Sequence, residues 1–322
     1  MMVYFSKNIM SKKPVNHFID LDQIDAKNLR KIINLAQKLK KDFDPIKQAK
    51  MLAHKNLAMI FEKTSTRTRV SFEVGINQLG GHAIVMNKND MQLGKGETVE
   101  DTAKVLSRFV DAVMIRSNSH QTIVELAKHS TKPVINALSD FSHPCQIMAS
   151  ILTAEEHLGK ISGKKLAWFG DANNVLNSYI HAAKAFDYEL AIAAPKGFDF
   201  CNAEIKKAVK MGAKITKTHD AKEAAKDADV LITDTWFSMG DEAEKNEKLK
   251  QQKLKVLMPY QVNSALMKLA RKNAIFTHCL PAYRGIEVSA EVIDSKKSVV
   301  FDEAENRLHV QKAILVYLMT EK

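Results

Sequence analysis

The chain has few cysteines and no long apolar run, and both absences narrow the classes of protein to which it could belong. Its 322 residues include three cysteines, Cys145, Cys201 and Cys279, and no two of them form a CxxC pair. This spacing suggests neither a disulfide framework nor a zinc site, and it fits a reducing cytoplasm. No run of about eighteen apolar residues exists, so neither a transmembrane helix nor a membrane partner is expected. The first fourteen residues, which contain lysines but no arginine and no apolar core, predict neither a secretory signal nor a transit peptide.

The balance of charge is strongly basic. The formal net charge is +11, from 48 lysines and arginines against 37 acidic residues. Such a balance indicates either a lysine-rich solvated surface or an anionic partner. The lysines are scattered and do not alternate with aromatic residues, which argues against nucleic acid. A small phosphorylated molecule therefore remains the anionic partner to consider.

Short apolar runs alternate with longer segments of helical periodicity. The predicted strands are Leu57–Phe61, Ala83–Met86, Ala112–Ile115, Pro133–Asn136, Lys165–Phe169, Leu190–Ala194, Lys214–Thr218, Val230–Thr233 and Ala274–Thr277. The predicted helices include Ser65–Leu79, Val99–Ser107, Cys145–Leu158, Asn174–Phe186 and Ala203–Met211. This order predicts an α/β protein with two doubly wound domains, each a parallel sheet flanked by helices. Ligands of such sheets lie beyond the carboxyl ends of the strands.

The chain is too long for one ordinary core, and we place the division between two domains at 158/159. A helical segment ends there, and Gly159 to Gly163 indicate a turn before a new strand. The last helical segment, Glu303–Met319, has no strand after it. It could pack back on either domain, the first included.

Hydroxyl and guanidinium side chains cluster where the first predicted strand gives way to a helix. The residues are Ser65, Thr66, Arg67, Thr68 and Arg69. A helix N-terminus offers unpaired N–H groups and a partial positive charge, and arginine binds phosphate through two donors. A helix cap followed by solvent-facing arginines is the alternative interpretation. Three hydroxyls and two arginines within five residues favour a phosphate site. A nucleotide-binding P-loop is not indicated, because the glycines of that motif are missing.

The stretch Ser65-Thr66-Arg67-Thr68-Arg69-Val70-Ser71-Phe72-Glu73 resembles the carbamoyl-phosphate signature of the aspartate and ornithine carbamoyltransferases. The resemblance extends from about Phe18 to Met319, with the motifs in family order. It implies a carbamoyl-phosphate-binding domain over 1–158 and an acceptor-binding domain over 159–322. It also implies that Ser65, Thr66, Arg67 and Thr68 hold the phosphate, while Arg69 faces away. No metal or cofactor is expected, because the leaving phosphate is stabilised by arginines.

Further strand-end residues gain a role from the same resemblance. Arg116, taken alone, would be a surface arginine, and His143 would be a helix cap. In the family pattern, however, Arg116 contacts the phosphate and the carbamoyl oxygen, and His143 donates to that oxygen. Gln146 of the His-Pro-x-Gln motif accepts from the carbamoyl amine, and Arg307 contacts carbamoyl phosphate. Donors aimed at an oxygen that becomes negative during attack each typically give ~10²–10³ in rate.

The second half of the chain resembles the ornithine-specific members of the family. Asp234 follows a predicted strand and suits an ammonium group. Ser238-Met239-Gly240 resembles their closing loop, and Asn174 would bind the ornithine carboxylate at a helix start. A surface turn and a helix cap are the alternatives for Ser238 and Asn174.

The motif His278-Cys279-Leu280-Pro281 also matches the ornithine enzymes. It implies that the Cys279 thiol lies near the δ-amine and that the Leu280 carbonyl takes the carbamoyl amine. A nucleophilic Cys–His pair is the competing interpretation. Neighbouring residues on an extended strand point to opposite faces, so His278 is poorly placed to activate Cys279.

The predicted activity is therefore carbamoyl transfer from carbamoyl phosphate to the δ-amine of L-ornithine, which gives citrulline and phosphate. Arg116, His143, Asp234 and Cys279 are the predicted catalytic residues. Transfer to another amine, such as aspartate, putrescine or an N-acylated ornithine, is the alternative. A non-catalytic protein that binds anions or nucleic acid through its basic surface is the rival from another class.

The loop around Gln92 resembles one that reaches into a neighbouring subunit's site. A homo-oligomer, a trimer or a multiple of one, is therefore expected, with Gln92 contacting carbamoyl phosphate in trans. The sequence departs from the family pattern at Met91, Asn177 and Tyr283, where serine, histidine and histidine are usual.

Overall fold

The computed structural model describes residues 16–92, 96–198, 202–237 and 246–320. Nine strands lie within them: β1 Asn56–Phe61, β2 His82–Asn87, β3 Ala112–Arg116, β4 Val134–Leu138, β5 Lys165–Phe169, β6 Glu189–Ala193, β7 Lys214–Thr218, β8 Val230–Ile232 and β9 Ile275–Thr277. The helices of the first half are α1 Ala26–Lys41, α2 Pro45–Gln48, α3 Thr66–Gln78, α4 Val99–Phe109, α5 His120–His129 and α6 Pro144–Leu158. Those that follow are α7 Asn174–Phe186, α8 Asn202–Lys210, α9 Ala221–Ala225, α10 Glu247–Leu257, α11 Ser264–Leu269, α12 Ala290–Ile293 and α13 Val300–Thr320. Short 3-10 turns span Leu21–Gln23, Lys88–Asp90 and Met258–Tyr260.

The strands form two parallel sheets. The first has the order β2-β1-β3-β4, and the second has the order β7-β6-β5-β8-β9. Buried apolar runs such as that of β1 fit this arrangement, because parallel strands are covered by helices on both faces. The predicted α/β class with two helix-flanked parallel sheets is confirmed. The strand bounds differ from the predicted ones by two residues at most.

Each sheet reverses its strand order at one point, between β1 and β3 in the first sheet and between β5 and β8 in the second. The carboxyl ends of strands at such a switch point border a crevice. In the first sheet the ends are Phe61 and Arg116, which are register partners. In the second sheet, the residues after β5 and β8 include Asn173 and Asp234, whose side chains are hydrogen-bonded to each other. Both crevices therefore receive polar residues.

The C-terminal helix α13 lies against helices of the first half. It packs on α1, α3 and α6. Its contact with α3 is close at Gly75, where a Cβ would lie 3.2 Å from the Lys312 Cγ. The buried Lys312 Nζ donates to the Gln78 Oε1 of α3 at 2.8 Å. The last helix thus carries its side chains to the edge of the first sheet. The division at 158/159 stays a prediction.

Among the described residues, no helix combines the length and the apolar composition that crossing a membrane requires.

Candidate active site

The phosphate-binding turn predicted from the sequence opens α3. Ser65 is the N-cap, and its hydroxyl accepts from the Thr68 N–H at 3.4 Å. Thr66 and Arg67 form the first turn, and the Thr68 side chain is fully buried. The Thr68 Oγ1 accepts a hydrogen bond of 2.6 Å from the Arg307 Nη2. The turn is therefore joined directly to α13, 239 residues further along the chain.

Three guanidinium groups converge on this turn. Burial lowers the pKa of Arg307 to about 10, with the nearby charges of Arg67 and Arg116 acting in the same direction; burial and the charge of Arg67 also lower the pKa of Arg116. Arg116 lies at a register shift between β3 and β4, a kind of irregularity that re-aims a side chain. Within the described part of the chain, none of the three forms an ion pair with a carboxylate, and the Nε atoms of Arg116 and Arg307 lack hydrogen-bond partners. Concentrated and unpaired positive charge of this kind requires an anion.

His143 lies beside the arginines at the start of α6. Its side chain is buried, and the Nδ1 has no hydrogen-bond partner among the described residues. Burial, reinforced by Arg307, Arg116 and Arg67, holds the pKa of His143 well below its usual range. The imidazole is therefore neutral at neutral pH, when it carries one N–H that can donate to a substrate oxygen.

The Gln146 amide is held in one orientation by a buried carboxylate. Its Nε2 donates to the Glu303 Oε1 at 2.8 Å, while its Oε1 has no partner among the described residues. Glu303 also accepts from the Ser150 hydroxyl and from the His278 N–H. Burial raises the pKa of the Glu303 carboxyl. Because the NH₂ group is occupied, Gln146 presents a free carbonyl oxygen, which can accept from an amine.

Asp234 and Cys279 meet at the end of the second sheet. The Cys279 thiol donates to the Asp234 Oδ1 at 2.9 Å, and the Oδ2 of the same carboxylate accepts from the Asn173 Nδ2 at 2.7 Å. Burial, and then the charge of Asp234, raise the pKa of Cys279 well above its usual range. The thiol is therefore protonated at neutral pH, which removes the thiolate that nucleophilic catalysis requires.

A ring nitrogen of His278 lies within 4.8 Å of the Cys279 thiol, but the contacts of the ring are with other groups. Its Nδ1 accepts from the Leu280 N–H at 2.9 Å, and its Nε2 lies 3.3 Å from the buried Glu287 Oε1. The Nδ1 of His278 is therefore occupied, its Nε2 makes no hydrogen bond among the described residues, and the thiol donates to Asp234 instead of to this ring. Leu280 has a φ of 57°, in the left-handed region, so its backbone turns sharply at the site.

Asn174 joins the two halves of the chain. Its Nδ2 donates to the Ser139 carbonyl at 2.7 Å, just beyond β4 of the first sheet. The N-cap of α7 is its neighbour Asn173, whose Oδ1 accepts from the N–H groups of Val175 and Leu176. The alternative interpretation of Asn174 as the helix cap is therefore wrong by one residue.

Three of the residues predicted to contact a substrate are not found in this cluster. Ser238 and Met239 lie outside the described residues. Gln92 is exposed, and its carbonyl accepts a hydrogen bond from the Glu97 N–H at 3.4 Å. Its predicted contact with carbamoyl phosphate would be with a neighbouring subunit's site.

The sequence analysis missed two residues that orient the others. Glu303 fixes Gln146, and Asn173 bonds Asp234 while capping α7. A signal existed for Glu303, because it lies four residues before Arg307 and therefore on the same helix face.

Among the described residues, one group at this site could bind a metal ion. It consists of Asp234, His278 and Cys279, whose ligand atoms lie within 4.8 Å of one another. The carboxylate already binds the thiol, and the imidazole binds a backbone N–H. The residues therefore suit a substrate ammonium beside Asp234 at least as well as a metal ion.

The chain is similar to known proteins over almost its whole length. Residues 16–156 match the family model described as the aspartate/ornithine carbamoyltransferase carbamoyl-P binding domain. Residues 162–318 match the Asp/Orn binding domain of the same family. The ornithine carbamoyltransferase of Brucella abortus (strain 2308) is 52% identical over 308 residues, which are 96% of this chain and 97% of that protein.

Solved structures agree with these matches. The ornithine carbamoyltransferase from Pyrococcus furiosus has a TM-score of 0.89 and 46% identity, over 95% of this chain and 98% of that one. The anabolic ornithine carbamoyltransferase from Campylobacter jejuni subsp. jejuni NCTC 11168 has a TM-score of 0.88 and 43% identity, over 96% and 100% of the two chains. The chain belongs to the aspartate/ornithine carbamoyltransferase family.

Proposed function

We propose that the chain transfers the carbamoyl group of carbamoyl phosphate to the δ-amine of L-ornithine, giving L-citrulline and phosphate. The observation that carries this proposal is the pairing of two unlike sites. Three arginines without a carboxylate partner in the described part of the chain surround the start of α3, and a buried carboxylate, Asp234, lies across from them in the second half. The first site suits a phosphorylated anion, and the second suits an ammonium group. Relatives about half identical to this chain are named ornithine carbamoyltransferases.

Carbamoyl phosphate binds first in this proposal. Its phosphate contacts the α3 N-terminus and the guanidinium groups, and its carbonyl oxygen accepts from Arg116 and His143. Gln146 and the Leu280 carbonyl accept from the carbamoyl NH₂. The residues assigned to this substrate are Ser65, Thr66, Arg67, Thr68, Gln92, Arg116, His143, Gln146, Cys279, Leu280 and Arg307. The unpartnered atoms of His143 and Gln146 support the polarity assigned to each.

Ornithine binds second. Its α-ammonium pairs with Asp234, its carboxylate lies near Asn174 and Met239, and Ser238 belongs to the loop that closes over it. The neutral δ-amine attacks the carbonyl carbon, and negative charge builds on the oxygen that Arg116 and His143 hold. The tetrahedral centre collapses as the C–O bond to phosphate breaks, and the proton lost by the attacking nitrogen passes to the departing phosphate, which leaves as hydrogen phosphate. Positioning and preorganised donors supply most of the acceleration.

Competing acceptors differ from ornithine in the groups that Asp234 and Asn174 would meet. Aspartate adds a second carboxylate next to an acid, putrescine lacks a carboxylate, and an N-acylated ornithine lacks the α-ammonium. The test is to incubate the protein with carbamoyl phosphate and each amine and to measure the ureido product. Product should form with ornithine at a kcat/KM far above that for the others. Product with another amine and none with ornithine would reverse the assignment.

We also propose that the protein is a homo-oligomer, a trimer or a multiple of one, in which Gln92 reaches a neighbouring site. Apolar side chains beside the phosphate turn support this assembly, because Val70 and Val74 on α3 and Ile84 on the edge strand β2 are exposed. We propose further that the two domains meet at 158/159 and that the protein is located in the cytoplasm.

A further inference from the structure

The loop that precedes His143 is bonded by one face of a helix from the second half of the chain. This loop spans residues 139–142, between β4 and α6. Three side chains of α7 form hydrogen bonds with it or with His143 itself, and they are Asn174, Asn177 and Ser178. Their spacing of three and four residues places them on the same face of the helix. The function proposed above uses only Asn174, so the contacts of the other two residues are not explained by it.

Asn177 and Ser178 bond the backbone next to His143. The Asn177 Nδ2 donates to the Phe141 carbonyl at 3.0 Å, and the Ser178 hydroxyl accepts from the His143 N–H at 2.8 Å. Both α7 side chains are fully buried. Water therefore does not replace such a bond, and removal of the side chain leaves a backbone group without a partner. The loop is thus fixed to α7 at two adjacent points.

The loop is also bonded within itself. The Ser139 N–H donates to the Ser142 carbonyl at 2.9 Å, and the Ser139 hydroxyl accepts from the N–H groups of Phe141 and Ser142. The Asn136 Nδ2 of β4 donates to the Ser142 hydroxyl at 2.9 Å. Because these bonds join the loop into one unit, a change at its contact with α7 should reach His143.

The His143 imidazole depends on this backbone for its orientation. Its Nδ1 has no hydrogen-bond partner among the described residues, and the side chain makes no capping bond to α6. Pro144 follows directly and has no N–H, so the N–H of His143 itself is the nearest backbone donor that can be held. The orientation matters, because a donor acts in catalysis only when it is aimed at the oxygen on which charge builds.

We propose that Asn177 and Ser178 are positioning residues for carbamoyl transfer and that they act through His143. This inference rests on the function proposed above. The cap residue Asn173 of the same helix bonds Asp234, so α7 contacts the acceptor site at its N-terminus and the loop of His143 along one face. The donor to the carbamoyl oxygen is thereby aligned by the helix that also carries the contacts to ornithine.

Asn174 belongs to both sites in this arrangement. Its amide nitrogen carries two N–H groups, and one of them donates to the Ser139 carbonyl. The other can donate to the carboxylate of ornithine while the first bond stays in place. One side chain then contacts the acceptor and holds the loop of His143, so the two substrates meet groups that are fixed to a single helix.

The alternative is that these side chains only stabilise the junction between the two halves. Ser178→Ala separates the cases, because it removes one acceptor and leaves no large cavity. If Ser178 positions His143, kcat should fall by about tenfold or more, since a misaligned donor loses part of the ~10²–10³ in rate that it gives. The KM for carbamoyl phosphate should stay within about twofold, because the phosphate contacts are intact. A structural role would lower stability and leave the kcat of the folded protein unchanged.

The same substitution in a His143→Ala background shows whether Ser178 acts through the imidazole. There Ser178→Ala should change kcat by less than about twofold, because no donor remains to be aligned. Asn177→Ala is a second, independent variant and should behave in the same way in both backgrounds. Ser107→Ala is the matched control, since this buried hydroxyl of α4 accepts from the Thr131 N–H at 3.0 Å. It should leave kcat unchanged.

The imidazole nitrogen NMR signals of His143 give a readout that does not require turnover. These signals, identified by their loss in His143→Ala, should shift or broaden in Ser178→Ala and keep their positions in Ser107→Ala. Unchanged signals and unchanged kcat in Ser178→Ala would overturn the positioning role, as would a loss of kcat that persists in the His143→Ala background. Failure of the proposed function would differ from both, because the unsubstituted chain would then form no citrulline.

Discussion

The arginines of this protein fall into two groups by their partners. Arg69, on the exposed side of α3, lies 3.4 Å from the Glu73 carboxylate, and Arg284 forms a bidentate pair with Asp294. Arg67 and Arg116 belong to the other group, which faces the start of α3 without a carboxylate among the described residues. The proposed function depends on the second group, because guanidinium groups left without acids are available to a substrate phosphate.

Cys279 tests the non-covalent mechanism at the scale of one residue. The thiol is protonated and bonded to Asp234, so it contributes contact and orientation and forms no intermediate. We expect Cys279→Ala to keep measurable turnover, with kcat lower by no more than about 10³. Cys279→Ser, which retains a donor to the carboxylate, should lose less. Steady-state citrulline formation measures both variants. Complete loss of turnover in both, with a carbamoyl adduct on the unsubstituted chain, would favour a nucleophilic thiol.

The elements that carry the site were more predictable than the contacts between them. Several elements have the predicted bounds, because apolar runs and helical periodicity are local signals. They include the strands Lys165–Phe169 and Lys214–Thr218 and the helix Asn174–Phe186. Arg116 was expected just after β3 and is its last residue. The spacing of Glu303 from Arg307 indicated a shared helix face, but the bond from Gln146 to Glu303 could not be predicted, because it depends on how α13 packs against α6.

The residue that caps an individual helix could not be predicted from the sequence either. Asn173 and Asn174 both precede the apolar face of α7, and either could cap it. Their tertiary partners decide the outcome, since Asn174 bonds the Ser139 carbonyl and leaves the cap to Asn173. The motifs identified the site residues as a set, whereas the hydrogen bonds among them required the packed structure.

The cap of α7 links helix stability to acceptor binding. Asn173→Ala should cost about 1 kcal/mol in the free energy of unfolding, because two N–H groups lose their acceptor. It should also raise the KM for ornithine, because Asp234 loses the Asn173 Nδ2. Asn263→Ala is the matched control, since Asn263 caps α11 in the same way and its side chain has no hydrogen bond to any site residue that the structure describes. Chemical denaturation and steady-state kinetics compare the pair. Equal effects of the two variants on the KM for ornithine would contradict the link.

A buried lysine makes the packing of α13 on the first half dependent on pH. Lys312 is fully buried and bonds Gln48 and Gln78, with no carboxylate among its described partners. Burial lowers its pKa to about 8 from 10.5. Between those two values the unfolded chain binds more protons than the folded one, so this group's contribution to stability rises with pH. Below about pH 8 its full cost is present.

Lys312→Met should therefore change how stability depends on pH. The free energy of unfolding of the variant, relative to the unsubstituted chain, should fall by roughly 1–2 kcal/mol between pH 8 and pH 10. Denaturant titrations at the two pH values measure this difference. Lys128→Met, at an exposed lysine of α5, is the control and should show no such change. A difference that stays constant for Lys312→Met would mean that the buried amine does not titrate in this window.

The proposed assembly predicts complementation between two inactive variants. Arg67→Ala damages a chain's own site, whereas Gln92→Ala damages the site of its neighbour. When the two variants are dissociated and reassembled together, some sites should receive an intact Arg67 from one chain and an intact Gln92 from the other. Activity should then exceed the sum of the two variants alone. No recovery in verified mixed oligomers would contradict the contact in trans.

The most direct test of the central claim compares two arginines on one turn of α3. The unsubstituted chain should produce citrulline and phosphate in equal amounts from carbamoyl phosphate and ornithine. Arg67→Ala should abolish both products while the thermal unfolding midpoint stays close to that of the unsubstituted chain. Arg69→Ala, which loses only the pairing with Glu73, should keep most of the activity. Retained turnover in Arg67→Ala, or phosphate release without citrulline in the unsubstituted chain, would contradict the proposed site.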